Sequence, residues 1–412
     1  MQHKTHTNPF NIIVIVAALG YFVDIYDLVL FSIVRVPSLN ALGFTGDDVT
    51  NVGLRLLNTQ MIGMLLGGIV WGMLGDKKGR LSVLFGTILL YSIANIANGM
   101  ITSLDQYYAC RFFAGVGLAG ELGIGITLVS EVMSKETRGF GTTIVSGIGI
   151  AGAVVGFLVA DKFDWRVAYY VGGVLGLLLL VLRISVYESG MFSRMKKSEV
   201  KKGSFISLFT DTTRLKKYIK CILIGIPVWY IIGVIVTLAP EFASSDALNV
   251  QGTIIGGKAV MYHYIGASVG AFSIGLLSQR LKSRKKALLY ALTGLTITLV
   301  WCFTSKGISA NYYYIMLLVI GIPNGFWSVF VTTASEQFGT NLRATVTTTV
   351  PNFVRGTTVL ITTSFNFLKG HGAGIIWAAT IVGLVVMALS FYATLTIEES
   401  YHKELDYVDE IA

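Results

Sequence analysis

The sequence predicts an all-α integral membrane protein with twelve transmembrane helices. Of the 412 residues, 53% are hydrophobic and only 13% are charged, whereas a soluble domain usually has about 25% charged residues. Apolar runs of about 20 residues, the length that crosses a bilayer as a helix, recur along the whole chain. These runs leave no room for a large soluble domain.

In chain order, the predicted spans of the first half are residues 11–35, 51–74, 81–103, 106–131, 139–160 and 167–187, and those of the second half are residues 218–241, 254–279, 286–305, 311–335, 344–367 and 374–396. An even number of spans puts both termini on one side of the membrane. Lys and Arg are concentrated in the segments on that side, which the positive-inside bias identifies as the cytoplasm. The net charge of +9 therefore needs no nucleic-acid partner.

The longest polar stretch divides the chain into two halves. We expect an N-terminal six-helix bundle at residues 1–190, a basic cytoplasmic linker at 191–217, and a C-terminal six-helix bundle with a short cytoplasmic tail at 218–412. The linker is expected to be solvated, with anionic lipid headgroups as an alternative contact. A short basic segment that begins with glycine follows the second span of each half. Paired halves of this kind are typical of transporters, with the binding site between them at mid-membrane.

Two acidic residues, Asp24 and Asp27, lie near the middle of the first span. A carboxylate at that depth costs about 2.5–3.5 kcal/mol on insertion scales. Residues three apart project from nearly the same side of a helix, so we expect both carboxylates to face a watery cavity or a charged partner. This pattern indicates transport, with protons as part of the load. The sequence contains no Walker loop, so it gives no indication that ATP is the energy source.

Several motifs resemble those of the major facilitator superfamily. Gly72-x-x-x-Asp76-x-x-Gly79-Arg80 resembles the loop between its helices 2 and 3. Further segments resemble its metabolite:proton symporter branch and, more loosely, its sugar porters, and they contain Arg111, Glu121, Glu131, Arg138, Glu188, Glu336 and Arg343. The resemblance implies two pseudo-symmetric six-helix bundles, alternating access, and conformational roles for Gly72, Asp76, Gly79, Arg80, Glu131, Arg138, Glu188, Glu336 and Arg343. The fifth span lacks the Gly-Pro pair of the superfamily's drug/proton antiporters, which argues against efflux.

The resemblance also suggests a proton-coupling group. Tyr26-Asp27 is similar to a Tyr-Asp pair in the first helix of proton-coupled members, and Arg111 is similar to their fourth-helix arginine. A carboxylate beside an arginine releases its proton, and one without a cationic neighbour keeps it. The alternative is a static ion pair between the two helices. Three roles are open for Asp24: a second proton site, a ligand for a cationic group of the substrate, or the partner of another basic residue. Glu121 is expected to act either as a gate residue or as a structural hydrogen-bond acceptor.

Arg355, near the centre of the eleventh span, is the first candidate for binding an anionic substrate. Its forked donors suit a carboxylate or phosphate, although it could instead balance Asp24 or Glu121. The other candidate substrate ligands are polar or aromatic residues inside spans, for which packing is the alternative role: Tyr26, Tyr230, His263, Asn324, Trp327 and Asn352.

The sequence thus predicts a secondary active transporter for proton-coupled uptake of a small polar, anionic metabolite. We expect a functional monomer in a bacterial inner (plasma) membrane, with both termini cytoplasmic, no enzymatic activity, no cofactor and no metal. A proton-driven exporter and a transporter-like nutrient sensor are the alternatives. The substrate is left open among amino acids, organic acids, betaines, sugar phosphates and inorganic phosphate.

Overall fold

The computed structural model describes residues 12–78, 80–120, 144–145, 147–188, 205–244 and 246–403, and its named elements are all helical. The helices of the first half are α1 (Ile12–Ala41), α2 (Asp47–Lys78), α3 (Arg80–Met100), α4 (Leu104–Leu118), α5 (Gly152–Lys162) and α6 (Trp165–Glu188). Those of the second half are α7 (Thr212–Tyr230), α8 (Gly256–Leu281), α9 (Arg284–Thr304), α10 in two segments (Ala310–Asn324 and Trp327–Glu336), α11 (Thr340–Leu368) and α12 (Gly374–Thr396). Short elements are a 3₁₀ turn (Phe205–Leu208), a π-helical continuation of α7 (Ile231–Val236), a helical turn (Ala239–Phe242) and a π-helical segment after α11 (Lys369–Ala373).

Nine segments of the described residues are long and apolar enough to cross a membrane, and the last of them, Asn341–Thr396, contains both α11 and α12. The fourth and fifth predicted spans are described only in part, because residues 121–143 lie outside the described ranges. Several helices are longer than their predicted spans. The helix α1 continues to Ala41, past Pro37, and α2 begins at Asp47 with two acidic residues in its first turn. Acidic side chains stabilise a helix N-terminus, so the first turn of α2 can be helical although it is not apolar.

The second and fourth helices of each half pack closely, α2 against α4 and α8 against α10. A side chain at Gly115 would clash with the Gln60 carbonyl of α2, and one at Gly321 would clash with the His263 carbonyl of α8. Small residues permit such backbone contact between membrane helices. The same arrangement in both halves agrees with the internal repeat in the sequence.

The two halves meet along α2 and α11, α5 and α8, and α1 and α8. On the outside of the bundle, large apolar side chains of α3, α6, α9 and α12 are exposed, among them Ile93, Leu178, Ile297 and Leu384. An exposed apolar surface of this kind suits contact with lipid tails. The domain boundaries stay a prediction, because residues 189–204, where the predicted linker begins, lie outside the described residues.

Candidate functional site

A cavity with an empty volume of about 430 Å³ lies between the two halves. Its lining comes from α1, the residues before α5, α7 and its π-helical continuation, α8, α10 and α11. The lining residues are Tyr21, Ile25, Leu28, Ile150, Val228, Trp229, Ile232, His263, Tyr264, Ala267, Asn324, Gly325, Trp327 and Arg355. Four of the predicted substrate ligands, Arg355, His263, Asn324 and Trp327, are therefore brought together at one cavity.

Two proline residues shape the helices around this cavity. Pro227 lies in α7, which changes to a π-helix at Ile231, and Pro323 lies at the end of the first segment of α10. Proline lacks the backbone N–H and disturbs the preceding helical turn. These interruptions place Trp229 just before the π-helical segment and Asn324 at the break in α10, where both side chains line the cavity.

Arg355 is 3% exposed, and its guanidinium lies between two indole rings. Its Cζ atom is 5.9 Å from the ring centroid of Trp229 and 5.7 Å from that of Trp327, distances at which cation–π attraction operates. One terminal nitrogen donates a hydrogen bond of 3.2 Å to Oδ1 of Asn352, whereas Nε has no hydrogen-bond partner among the described residues. Asp24 interacts electrostatically with Arg355. Binding of an anionic substrate and charge balance with Asp24, two roles predicted for this arginine, are therefore both compatible with its position.

His263 and Asn324 form a second polar group in the cavity wall. The Asn324 Nδ2 and His263 Nε2 atoms are 3.0 Å apart, and the imidazole also lies near the backbone carbonyl of Leu317. Both side chains are buried. Within the described part of the chain, Oδ1 of Asn324 accepts no hydrogen bond. A buried acceptor without a donor is unfavourable, so this atom is available to a ligand.

Asp27 and Arg111 belong to a different cluster, buried within the first half. Both are 0% exposed, and both interact with the side chain of Tyr169 on α6. The guanidinium of Arg111 is 5.7 Å from the ring centroids of Phe31 and Tyr169. The Asp27 carboxylate packs against Gly172, where any added side chain would clash with it. Asp27 and Arg111 therefore share one buried environment, which is outside the cavity lining.

Hydroxyl groups extend this Arg111 cluster toward the end of α1. The Tyr107 and Tyr169 hydroxyls are 2.8 Å apart, and the Ser38 and Tyr107 hydroxyls are 3.1 Å apart. These three side chains form a continuous chain of hydrogen-bonding groups in the interior of the first half.

Three other predicted substrate ligands have partners within the protein. The Tyr26 hydroxyl donates to the Ala168 carbonyl at 2.9 Å and the Tyr230 hydroxyl to the Ala379 carbonyl at 2.6 Å, and neither tyrosine lines the cavity. Asn352 Nδ2 donates to the Ala119 carbonyl of α4 at 2.7 Å. Asn352 thus joins the two halves beside Arg355, and any role in substrate binding stays a prediction.

Of the predicted conformational residues, Glu336 and Arg343 are described in full. Glu336 forms an ion pair with Arg284 of α9 at 3.0 Å and accepts a 2.8 Å hydrogen bond from Ser400 of the tail. Arg343 donates to the Ser335 carbonyl at 3.2 Å. The predicted sites Gly79, Glu121, Glu131 and Arg138 lie outside the described residues. Gly72, Asp76, Arg80 and Glu188 lie in α2, α3 and α6, and the predictions for them fall outside what the structure describes beyond the backbone.

Sequence reasoning missed a polar contact between the halves at the C-terminal end of α1. Arg35, 1% exposed, is 2.7 Å from Glu241 and donates to the Thr237 carbonyl at 3.1 Å. Thr50 donates to the same carboxylate at 2.9 Å, and the Ser32 and Thr237 hydroxyls are 3.0 Å apart. We call these five residues the outer latch, because the predicted orientation with cytoplasmic termini places this end of α1 outside. The sequence does show Arg35 at the end of the first predicted span and Glu241 at the end of the seventh. Their separation of 206 residues gave no reason to pair them.

Comparison with known proteins agrees with this architecture. The sequence profile of the Major Facilitator Superfamily matches residues 17–356. The chain is 25% identical to "Putative niacin/nicotinamide transporter NiaP" of Bacillus subtilis (strain 168) over 354 residues, which is 82% of this chain and 84% of that protein. It is 34% identical to the Niacin transporter NiaP of Acinetobacter baylyi over 32% of this chain and 31% of that protein. It is 25% identical to the Sialic acid transporter NanX of Escherichia coli (strain K12) over 64% of this chain and 67% of that protein. The chain is therefore a member of the Major Facilitator Superfamily, an integral membrane transporter of small molecules with the twelve-helix fold of that superfamily, and not an enzyme.

Proposed function

We propose that this protein takes up a small organic anion together with protons by alternating access. The single observation that carries the proposal is the position of Arg355, a buried guanidinium in the wall of a cavity between the halves. An ionisable residue at this depth marks a substrate or ion pathway. The planar donors of arginine bind carboxylates through two hydrogen bonds. Relatives whose names include niacin and sialic acid support a small organic metabolite as the load.

The cavity lies where a transported substrate binds in such transporters, between the two halves. Its lining is drawn from both halves, so a bound substrate contacts both. A ligand whose contacts differ between two conformations shifts the equilibrium between them, which is the requirement for transport by alternating access.

Asp24 supplies a link between substrate and proton. It is 4% exposed and interacts with Arg355, the group to which the substrate anion would bind. An anion that takes over Arg355 removes cationic stabilisation from Asp24, and a carboxylate that loses its cationic neighbour binds a proton more readily. Substrate and proton then bind together. Asp27, beside Arg111 in the interior of the first half, is the second carboxylate that carries protons.

The outer latch has to open once in each transport cycle. It joins α1 to the segment after α7 through Arg35 and Glu241, and Lys369 to Asp47 at 3.2 Å adds a contact nearby. With both termini in the cytoplasm of a bacterial cell, this end of the molecule faces outward. Breaking these contacts gives the substrate access from outside.

Proton coupling can be tested in proteoliposomes that contain the purified full chain. Addition of niacin or sialic acid outside should make the external medium more alkaline as the substrate enters with protons. Asp27→Asn should abolish this proton flux and retain exchange of substrate across the membrane. Asp105→Asn, a change at an exposed carboxylate of α4, is the matched control.

Three outcomes would contradict parts of the proposal. Proton flux that persists in Asp27→Asn would remove Asp27 from the coupling mechanism. Efflux of loaded substrate, driven by protons entering in the opposite direction, would identify an exporter. Binding without any turnover would favour a nutrient sensor.

A further inference from the structure

We propose that the substrate is a planar aromatic monocarboxylate with a hydrogen-bond donor on its ring. Its carboxylate binds to the Nε edge of Arg355, its ring lies against the aromatic walls of the cavity, and its ring donor binds to Oδ1 of Asn324. This inference rests on the proposed function, because it names the substrate class of the same cavity.

The first argument is the charge of the cavity. Arg355 is the only Lys, Arg, Asp or Glu among the residues that line it. Asp24, which interacts with this arginine, already contributes negative charge close by. A dianion such as phosphate would leave negative charge without a cationic partner at a site removed from water, which is strongly unfavourable. A monoanion matches the single guanidinium.

The second argument is how Arg355 is surrounded. The rings of Trp229 and Trp327 lie on it, with centroids 5.9 Å and 5.7 Å from Cζ, and one terminal nitrogen is occupied by Asn352. The Nε atom remains without a hydrogen-bond partner among the described residues. An anion therefore approaches in the plane of the guanidinium, along the Nε edge, where a flat carboxylate makes two parallel hydrogen bonds.

The third argument is the shape and chemistry of the walls. Five side chains of the lining carry aromatic rings, Tyr21, Trp229, His263, Tyr264 and Trp327, and most of the remaining lining residues are aliphatic. Aromatic rings favour offset-stacked or edge-to-face contact with another ring. A sugar acid would bring many hydroxyl groups to these apolar walls, and each hydroxyl without a partner would oppose binding.

The fourth argument is the polar group at Asn324. Its Nδ2 atom is engaged with His263 at 3.0 Å, and its Oδ1 atom is buried with no donor in the part of the chain that the structure describes. The contact with His263 holds the amide in one orientation. A ring hydroxyl, amino group or protonated ring nitrogen would supply the missing donor.

The test is equilibrium binding to the purified full chain, followed by tryptophan fluorescence and confirmed by calorimetry. The probes are 3-hydroxybenzoate, benzoate, gluconate and inorganic phosphate. We expect 3-hydroxybenzoate to bind at least about tenfold more tightly than benzoate, a difference of about 1.4 kcal/mol, and gluconate and phosphate to bind more weakly than benzoate. Asn324→Ala should bring the ratio of the 3-hydroxybenzoate and benzoate affinities close to one, and Trp229→Leu should weaken both aromatic ligands. Trp377→Phe, at a tryptophan that is 68% exposed on the outside of α12, is the matched control.

The outcomes separate this inference from the proposed function. Gluconate or phosphate binding more tightly than both aromatic acids, with the binding lost in Arg355→Gln, would overturn the aromatic substrate and retain uptake of an anion. Equal affinity for benzoate and 3-hydroxybenzoate in the unmodified chain would overturn the role of Asn324. Binding of every probe that is unaffected by Arg355→Gln would contradict both this inference and the proposed function.

Discussion

The two carboxylates of α1 lie one helical turn apart, but their surroundings differ. Asp27 shares its buried cluster with Arg111 and Tyr169, which belong to the same half of the molecule. Asp24 interacts with Arg355, which belongs to the other half. Because the halves move relative to each other during alternating access, the distance from Asp24 to Arg355 changes, whereas the Asp27 cluster moves as a unit. The comparison teaches that position relative to the interface between the halves, and not depth in the membrane, decides how a buried charge responds to the transport cycle.

The difference also separates two ways of moving a proton. In the proposed mechanism, Asp24 changes its protonation when substrate binds to Arg355 or when Arg355 moves away. The Asp27 cluster keeps its partners when the halves rotate as rigid bodies, so its protonation depends on access to water or on movement of α1 against α4. A contact between Asp27 and Arg111 could therefore form and break only through motion inside the first half.

The largest expected effect on transport is at Arg355, which lines the cavity between the two halves. Arg355→Gln should reduce uptake by about 100-fold or more, because truncating one partner of a buried charge pair costs about 2–5 kcal/mol. Initial uptake rates in proteoliposomes measure the loss. Arg280→Gln, at an exposed arginine of α8, should leave uptake unchanged. Near-normal uptake by Arg355→Gln would remove this arginine from substrate binding.

The pairing across the halves can be tested by stability. Arg355→Gln removes a buried cation that attracts Asp24, and it should lower the unfolding temperature of the protein in detergent because a buried carboxylate is less stable without a nearby cation. Adding Asp24→Asn to Arg355→Gln should recover most of that loss, because it removes the carboxylate that Arg355 attracts. Adding Asp27→Asn should recover none of it. Equal recovery by the two carboxylate changes would mean that Asp24 and Asp27 are not distinguished as proposed.

A smaller effect is expected at the outer latch. Glu241→Gln should weaken the contact to Arg35 by about 1.5–3 kcal/mol, the value of a hydrogen bond to a charged group, and so increase the population open to the outside by roughly tenfold or more. A cysteine introduced at Val228 in the cavity wall, with Cys110, Cys221 and Cys302 replaced, reports this population by its labelling rate from the outer side. Asp105→Asn serves as the control. An unchanged labelling rate would show that the latch does not hold this state.

The smallest effect concerns a carboxylate outside the membrane. Burial opposes ionisation of Glu399, but hydrogen bonds from the Ser283 hydroxyl and from the backbone N–H groups of Tyr401, Arg284 and Lys285 outweigh it and lower the pKa of this carboxyl. A lowered pKa in the folded state stabilises the docked tail above the ordinary carboxyl pKa of about 4.3. This stabilisation is lost as the pH falls through the lowered value.

Amide hydrogen exchange of the tail measures this effect. Exchange at residues 399–403 should be slow at neutral pH and should lose its protection in acid, relative to the intrinsic rate at each pH. In Glu399→Gln the protection should be weaker throughout and should vary little with pH. Protection of the unmodified tail that persists at the lowest pH would contradict a role for the ionised carboxylate.

The local breaks in the helices show how far sequence reasoning reaches. Pro323 and Asn324 were predicted to lie in a span, and Asn324 was a candidate ligand, but their position in the second half of the chain does not show which neighbours they contact. The break in α10 and the close packing of α8 against it place Asn324 beside His263 at 3.0 Å. Trp229 and Tyr230 are adjacent aromatic residues of the seventh predicted span, so the sequence does not distinguish them as ligands. Adjacent side chains on a helix point in different directions, and Trp229 lines the cavity whereas the Tyr230 hydroxyl donates to the Ala379 carbonyl of α12.

The sequence by itself determined that this chain is a helical membrane protein in two related halves, because the length and apolar character of each span are local properties that the bilayer selects. It also determined that charges such as Asp24, Asp27, Arg111 and Arg355 are buried, since each lies inside a span. Only the tertiary structure decided which charges share a site: Asp24 with Arg355 across the halves, and Asp27 with Arg111 within one. The reason is physical, because electrostatic interaction depends on distance in space, and the packing that sets those distances joins residues that are far apart in the chain.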